Sequence, residues 1–121
     1  MKKPSRKTLK NKADKLWSEI IRSKGKCEIC GEPANQPHHI IGRKNLTLRW
    51  DIRNGCLLCF QHHTGNKVSA HNDPQWFLNE WMINNRPDDY NYLWEKKIEL
   101  STQIDYSEVI KKLNENCLHN D

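Results

Sequence analysis

No stretch of this sequence is long and apolar enough to form a membrane-spanning helix, and a protein that crosses or sits in a membrane is not expected. No apolar segment follows the opening Met-Lys-Lys-Pro-Ser-Arg-Lys, so the start does not read as a secretory signal. Acidic residues are missing from the first twelve positions, where Lys2, Lys3, Arg6, Lys7, Lys10 and Lys12 stand. Such a block reads as a basic arm, mobile at its start. Apolar residues are scarce too, 36% against 29% charged in 121 residues. The core is therefore modest, and a further staple such as a structural metal is expected. There is no internal repeat, and the length suits one compact domain.

What is present points to metal and to polyanions. The net charge is +5, which favours a nucleic-acid partner but is weak evidence alone. Of five cysteines, four form two C-x-x-C pairs, Cys27/Cys30 and Cys56/Cys59. The chain reads as intracellular and cytoplasmic, a reducing setting where such spacings mean metal more often than disulfide. Zinc takes four thiolate or imidazole ligands in a closed site. Cys27 and Cys30 give one half. The other half is open between Cys56 with Cys59 and Cys59 with His62. Cys117 stands apart and has no assigned role.

Helical spacing of Leu9, Ala13, Leu16, Trp17, Ile20 and Ile21 predicts an N-terminal helix, with Thr8 as its cap and Gly25 as its stop. Pro37 to Gly42 reads as a short strand carrying two histidines, and Gly55 to Leu58 as a second strand or turn. Arg43 to Asn54 is a basic connector holding Trp50. Asp73-Pro74 is a helix start. Trp76, Phe77, Trp81, Met82 and Ile83 supply its apolar face. Tyr90, Leu93, Trp94 and Ile98 mark a further helix, and Tyr106, Val109, Ile110, Leu113 and Leu118 another. The aromatic stripes read as core rather than as base-stacking platforms.

His38, His39, His62, His63 and His71 fall within 34 positions, a clustering that raises the odds of ligand roles. Adjacent strand residues point to opposite faces, so His38 and His39 serve one site only if the strand is bent or distorted. Cys27-x-x-Cys30, His38-His39-Ile-Ile, Asn54 and Leu58-Cys59-x-x-His62-His63 together resemble the His-Asn-His (HNH) endonucleases with a ββα-metal core. His39 to Asn54 is fifteen positions and Asn54 to Cys59 is five, the register of that family. Gly42-Arg43, Arg49-Trp50-Asp51 and Ser69-Ala70-His71 extend the likeness to small phage-type members, including recombination endonucleases resembling the lambda NinG protein. The match covers about residues 27–86. It departs from the family where His62 replaces a cysteine.

The resemblance implies an α+β, mostly helical fold. A basic arm and helix would occupy 1–25, a zinc-stapled ββα-metal core 26–72, and a helical extension packed on that core 73–121. It implies DNA hydrolysis with His39 as general base and Asn54 as the residue that orients the His39 loop. His38 and His63 would hold a catalytic Mg2+ or Mn2+, with His71 a candidate third ligand or phosphate contact. Imidazole ligation also suits nickel or zinc. The register makes Cys27, Cys30, Cys59 and His62 the preferred zinc set, leaving Cys56 as a packing residue or alternative ligand. Arg43, Lys44, Arg49 and Arg53, on the loop between the His pair and Asn54, are expected on phosphates of double-stranded or branched DNA. No recognition helix is evident, so little sequence specificity is expected. Phage recombination, packaging or other DNA processing in a bacterial cell would follow. The competing readings are a non-catalytic zinc-binding nucleic-acid module and a protein-interaction role, with a partner or dimer on the C-terminal helices.

Overall fold

The computed structural model describes residues 3–99 and 103–119, with side chains described as far as Asn116. Lys2 of the basic segment and the expected packing of Leu118 lie outside the described residues. The basic segment is helical from its sixth residue. Helix α1 spans Arg6–Arg22, and its cap is Ser5 rather than Thr8, because the Ser5 hydroxyl accepts from the Thr8 amide. The Arg6 guanidinium donates to the Ile104 carbonyl and sits 4.8 Å over the Tyr106 ring, tying the arm to the C-terminal helix. Ala13, Trp17, Ile20 and Ile21 form the buried stripe. The helix ends at Arg22, short of Gly25.

Two short strands, β1 (Gln36–His39) and β2 (Gly55–Leu58), pair antiparallel with His38 opposite Cys56 and His39 opposite Gly55. β1 stops sooner than its apolar run suggested. The amides of Ile40 and Ile41 leave the ladder for the Asn54 carbonyl (2.9 Å) and the Asn54 side-chain oxygen (2.7 Å). All four residues of β2 are buried, and strand alternation divides them between two cores. Leu57 packs with Trp17, Ile21, Trp50, Tyr106, Ile110 and Leu113. Cys56 and Leu58 pack with Ile40, Leu48, Phe77, Trp81, Met82 and Leu93. α1 lies so close to the sheet that a Cβ on Gly55 would stand 2.2 Å from Ile21 Cδ1, so a side chain there would force Ile21 to move.

After β2 come a π-helical turn, Gln61–Gly65, and an irregular loop. Asp73 then caps helix α2 (residues 74–85), accepting from the Trp76 amide, with Pro74 in its first turn. The middle of α2, Phe77–Trp81, is π-helical and buries Phe77 and Trp81. Arg86 ends it, and α3 follows as Pro87–Lys96. Arg86 joins the layers, donating to the carbonyls of Gly55 and Arg53 and to Asp89. Helix α4, Tyr106–His119, lies against α1. Ile98 was expected on the apolar face of α3 but lies beyond its end and is 76% exposed; Ile83 is 41% exposed. Trp17, Trp50 and Trp81 are buried, which spends them on packing. The chain is thus α+β, mostly helical around a two-stranded antiparallel sheet. Among the described residues no helix is long and apolar enough to cross a membrane.

Candidate metal centres and the His39 cleft

The first cluster begins at a knuckle. Gly31 adopts φ +78°, a left-handed conformation that favours glycine. It lets the chain turn so that the Gly31 amide bonds the Cys27 carbonyl and the Cys27 amide bonds the Glu32 carbonyl. Glu28 secures the knuckle to β2: its amide donates to the Leu57 carbonyl and its carboxylate accepts the Leu57 amide. Cys59, just past β2, and His62, in the π-turn, complete a group of four. Cys30 Sγ and Cys59 Sγ are 3.8 Å apart, Cys27 Sγ and His62 Nδ1 3.9 Å, and Cys59 Sγ and His62 Nδ1 3.3 Å. A tetrahedral zinc with ordinary bond lengths holds sulfurs about 3.8 Å apart and sulfur and nitrogen about 3.5 Å apart. The cysteines are free thiols, with sulfurs too distant for a disulfide. Burial raises the Cys27 thiol, but the amides of Cys59, Cys30 and Ile29 outweigh it and bring the group below its ordinary value.

The four-cysteine alternative fails on placement. Cys56 lies inside the ladder, fully buried and opposite His38, and takes no part in the group of four. Burial pushes its thiol well up, with Glu28 adding to the shift, so Cys56 is a packing residue.

The second cluster is His38, His63 and His71. His38 stands on the α2 side of the sheet, edge-on to the rings of His63, His71 and Phe77. His71 would lie about 12 Å beyond His63 on an unbroken helix. The chain does not continue as a helix. The π-turn ends at Gly65, and the loop folds back until the His71 amide bonds the His63 carbonyl (3.1 Å). Asn72 clamps that fold through the carbonyls of Thr64 and Asn66. The Nε2 atoms of His63 and His71 then face each other at 3.0 Å. Two imidazoles bound at right angles to one ion stand about 3.0 Å apart. Gln36, which sequence reasoning overlooked, presents its side-chain oxygen to His63 Nδ1 at 2.7 Å. That oxygen can only accept, so Nδ1 carries the proton and Nε2 keeps its lone pair. The available signal was period two, because Gln36 and His38 share a strand face. Burial, with His71, His63 and His39 adding, pushes His38 down to about 3. Burial and His71 lower His63 as well. Neutral imidazoles are the ligand form. No carboxylate belongs to this cluster among the described residues.

His39 takes the opposite face, stacked on Trp17 with centroids 3.8 Å apart and planes 8° from parallel. Because His39 is the last residue of β1, it still lines one open cleft of about 550 Å³ with His38, His63, His71, Arg43 and Lys44. Its Nε2 donates to the Arg49 carbonyl at 3.0 Å. The neutral ring therefore keeps a lone pair on Nδ1. Burial pushes His39 down to about 4, with Arg43 and Arg49 adding and the Arg49 carbonyl and Asp14 opposing.

Asn54 is fully buried and closes the loop that follows. It accepts the Ile41 amide and donates to the carbonyls of Ile41 (2.9 Å) and Leu48 (3.2 Å). Two of the four cations expected on phosphate have other occupations. Arg49 makes a two-pronged pair with Asp14 (2.8 and 3.1 Å) and keeps only 12% side-chain exposure. Arg53 pairs with Asp89 at 2.6 Å and lies 3.8 Å over the Tyr92 ring. Arg43, 60% exposed though 3.6 Å from Asp14, and Lys44 line the cleft. Set beside known protein families, characterised proteins and solved structures, the chain matches none of them.

Proposed function

We propose that this chain is a metal-dependent DNA endonuclease of the HNH kind, stapled by a structural zinc on Cys27, Cys30, Cys59 and His62. The observation that carries the reading is the single cleft in which three imidazoles converge beside a fourth, His39, whose proton position is fixed by a backbone carbonyl. His39 Nδ1 is the general base. It takes a proton from water as the water attacks a phosphodiester, a task suited to an imidazole that is neutral at pH 7. The Arg49 carbonyl and the Trp17 face hold that ring in one orientation. Asn54 keeps the carbonyl in place by fastening the loop between Ile41 and Leu48.

His38, His63 and His71 would hold a divalent ion, which would supply stabilisation of the negative charge that develops on the phosphate. An all-imidazole donor set favours Mn2+, Ni2+ or Zn2+ over Mg2+. Arg43 and Lys44 contact phosphates without reading bases. Incubation with supercoiled plasmid and Mn2+ tests the proposal. Nicking that EDTA stops is expected. Tight DNA binding with no nicking at stoichiometric protein would favour a non-catalytic zinc module instead.

A further inference from the structure

A second cleft, about 270 Å³, adjoins the first and is lined by Asp14, Trp17, Ser18, Arg22, Pro37, His39 and Arg43. It shares Pro37, His39 and Arg43 with the His cluster's cleft, so His39 stands at the junction of two openings. One wall of the second cleft is α1. Its residues Lys7, Asn11, Asp14 and Arg22 fall within about 40° of Ser18 on either side at 100° per residue, and Lys15 borders them. This stripe rises about 22 Å from Lys7 to Arg22. Among the described residues no ion pair engages Lys7, Lys15 or Arg22. Asp14, the one acid on the stripe, is matched by Arg49 and Arg43 and by the Trp50 indole. These partners hold its carboxyl below the usual range despite its partial burial.

We infer that the Lys7–Arg22 stripe of α1, with Arg43, is a second phosphate track, along which the DNA strand continues past His39 on the side away from the three-histidine cluster. A strand cut at His39 has nucleotides on both sides of the cut phosphate, and the two openings that meet at His39 give each side a place. The stripe offers cations and small donors, Asn11 and Ser18, with no large apolar side chain, so its partner is the sugar-phosphate backbone rather than the bases. The inference rests on the endonuclease reading for the position of the cut. The binding test does not depend on cleavage.

The test compares the Lys7→Ala/Arg22→Ala double variant with Lys12→Ala, whose position is about 120° around the helix from Ser18. DNA affinity is read by fluorescence anisotropy against salt concentration. Each lost phosphate contact lowers the salt slope by about 0.9. The double variant should lose close to two units of slope and roughly tenfold in affinity at physiological salt. Lys12→Ala should match wild type. Equal slopes for the double variant and wild type, at equal melting temperature, overturn the track. A wild-type protein that binds DNA with the expected slopes but never cleaves removes the endonuclease and leaves the track standing.

Discussion

Removing the Asn54 amide should cost more stability than any surface change in this chain, and cleavage should fall with it. Asn54→Ala strips partners from three backbone groups at once: the Ile41 amide and the carbonyls of Ile41 and Leu48. Asn54 itself has no exposure to water, and its bond to the Leu48 carbonyl is buried, while the two bonds to Ile41 are part-buried. Each buried group left without a partner costs about 1–3 kcal/mol. Relaxation of the loop recovers part of that, so the net loss should be about 3–5 kcal/mol. For a chain of this size that lowers Tm by about 12–20 °C. Thermal and urea unfolding, with zinc content measured on the same samples, read the effect. Activity should fall further than stability accounts for at temperatures where the variant is folded, because the loop carries the Arg49 carbonyl that holds His39. A loss below about 1 kcal/mol with undiminished cleavage would refute the clamp.

Cys30→Ser should release zinc and unfold the central region, whereas Cys56→Ala should keep full zinc content and lose only about 1–2 kcal/mol for a small buried void; metal analysis with circular dichroism distinguishes them. Asp89→Asn should destabilise by about 1–3 kcal/mol at pH 7, since the carboxyl serves Arg53 and Arg86 together. Partial burial opposes the shift, but these two arginines hold Asp89 below the usual carboxylate range. Its contribution is therefore present above the unfolded carboxyl value, about 3.9, and is lost as pH falls through the lower folded value. Urea titrations across pH should show the two proteins converging in acid, and a constant gap down to pH 2 would contradict this.

Local signals in the sequence carried much of the fold. β2 was legible because Gly-Cys-Leu-Leu is a run buried on both faces, and α2 because Asp73-Pro74 is a strong start. The cluster of Cys27, Cys30, Cys59 and His62 was legible from spacing and register. What stayed hidden was long-range. Arg49 and Arg53 look like free cations until the fold brings Asp14 and Asp89 beside them from 35 and 36 positions away. His71 depended on a π-turn and a back-folded loop that residue periodicity does not encode. The split of His38 and His39 across the sheet followed from strand alternation. Their shared cleft did not, because it depends on β1 ending at His39.

The most direct measurement is single-turnover cleavage of plasmid by His39→Ala beside wild type, with Mn2+ present and with DNA affinity and zinc content measured on both. The account predicts a rate at least about a hundredfold lower, with affinity and zinc unchanged. Cleavage by His39→Ala within a few-fold of wild type would remove His39 from the role of base and contradict the account.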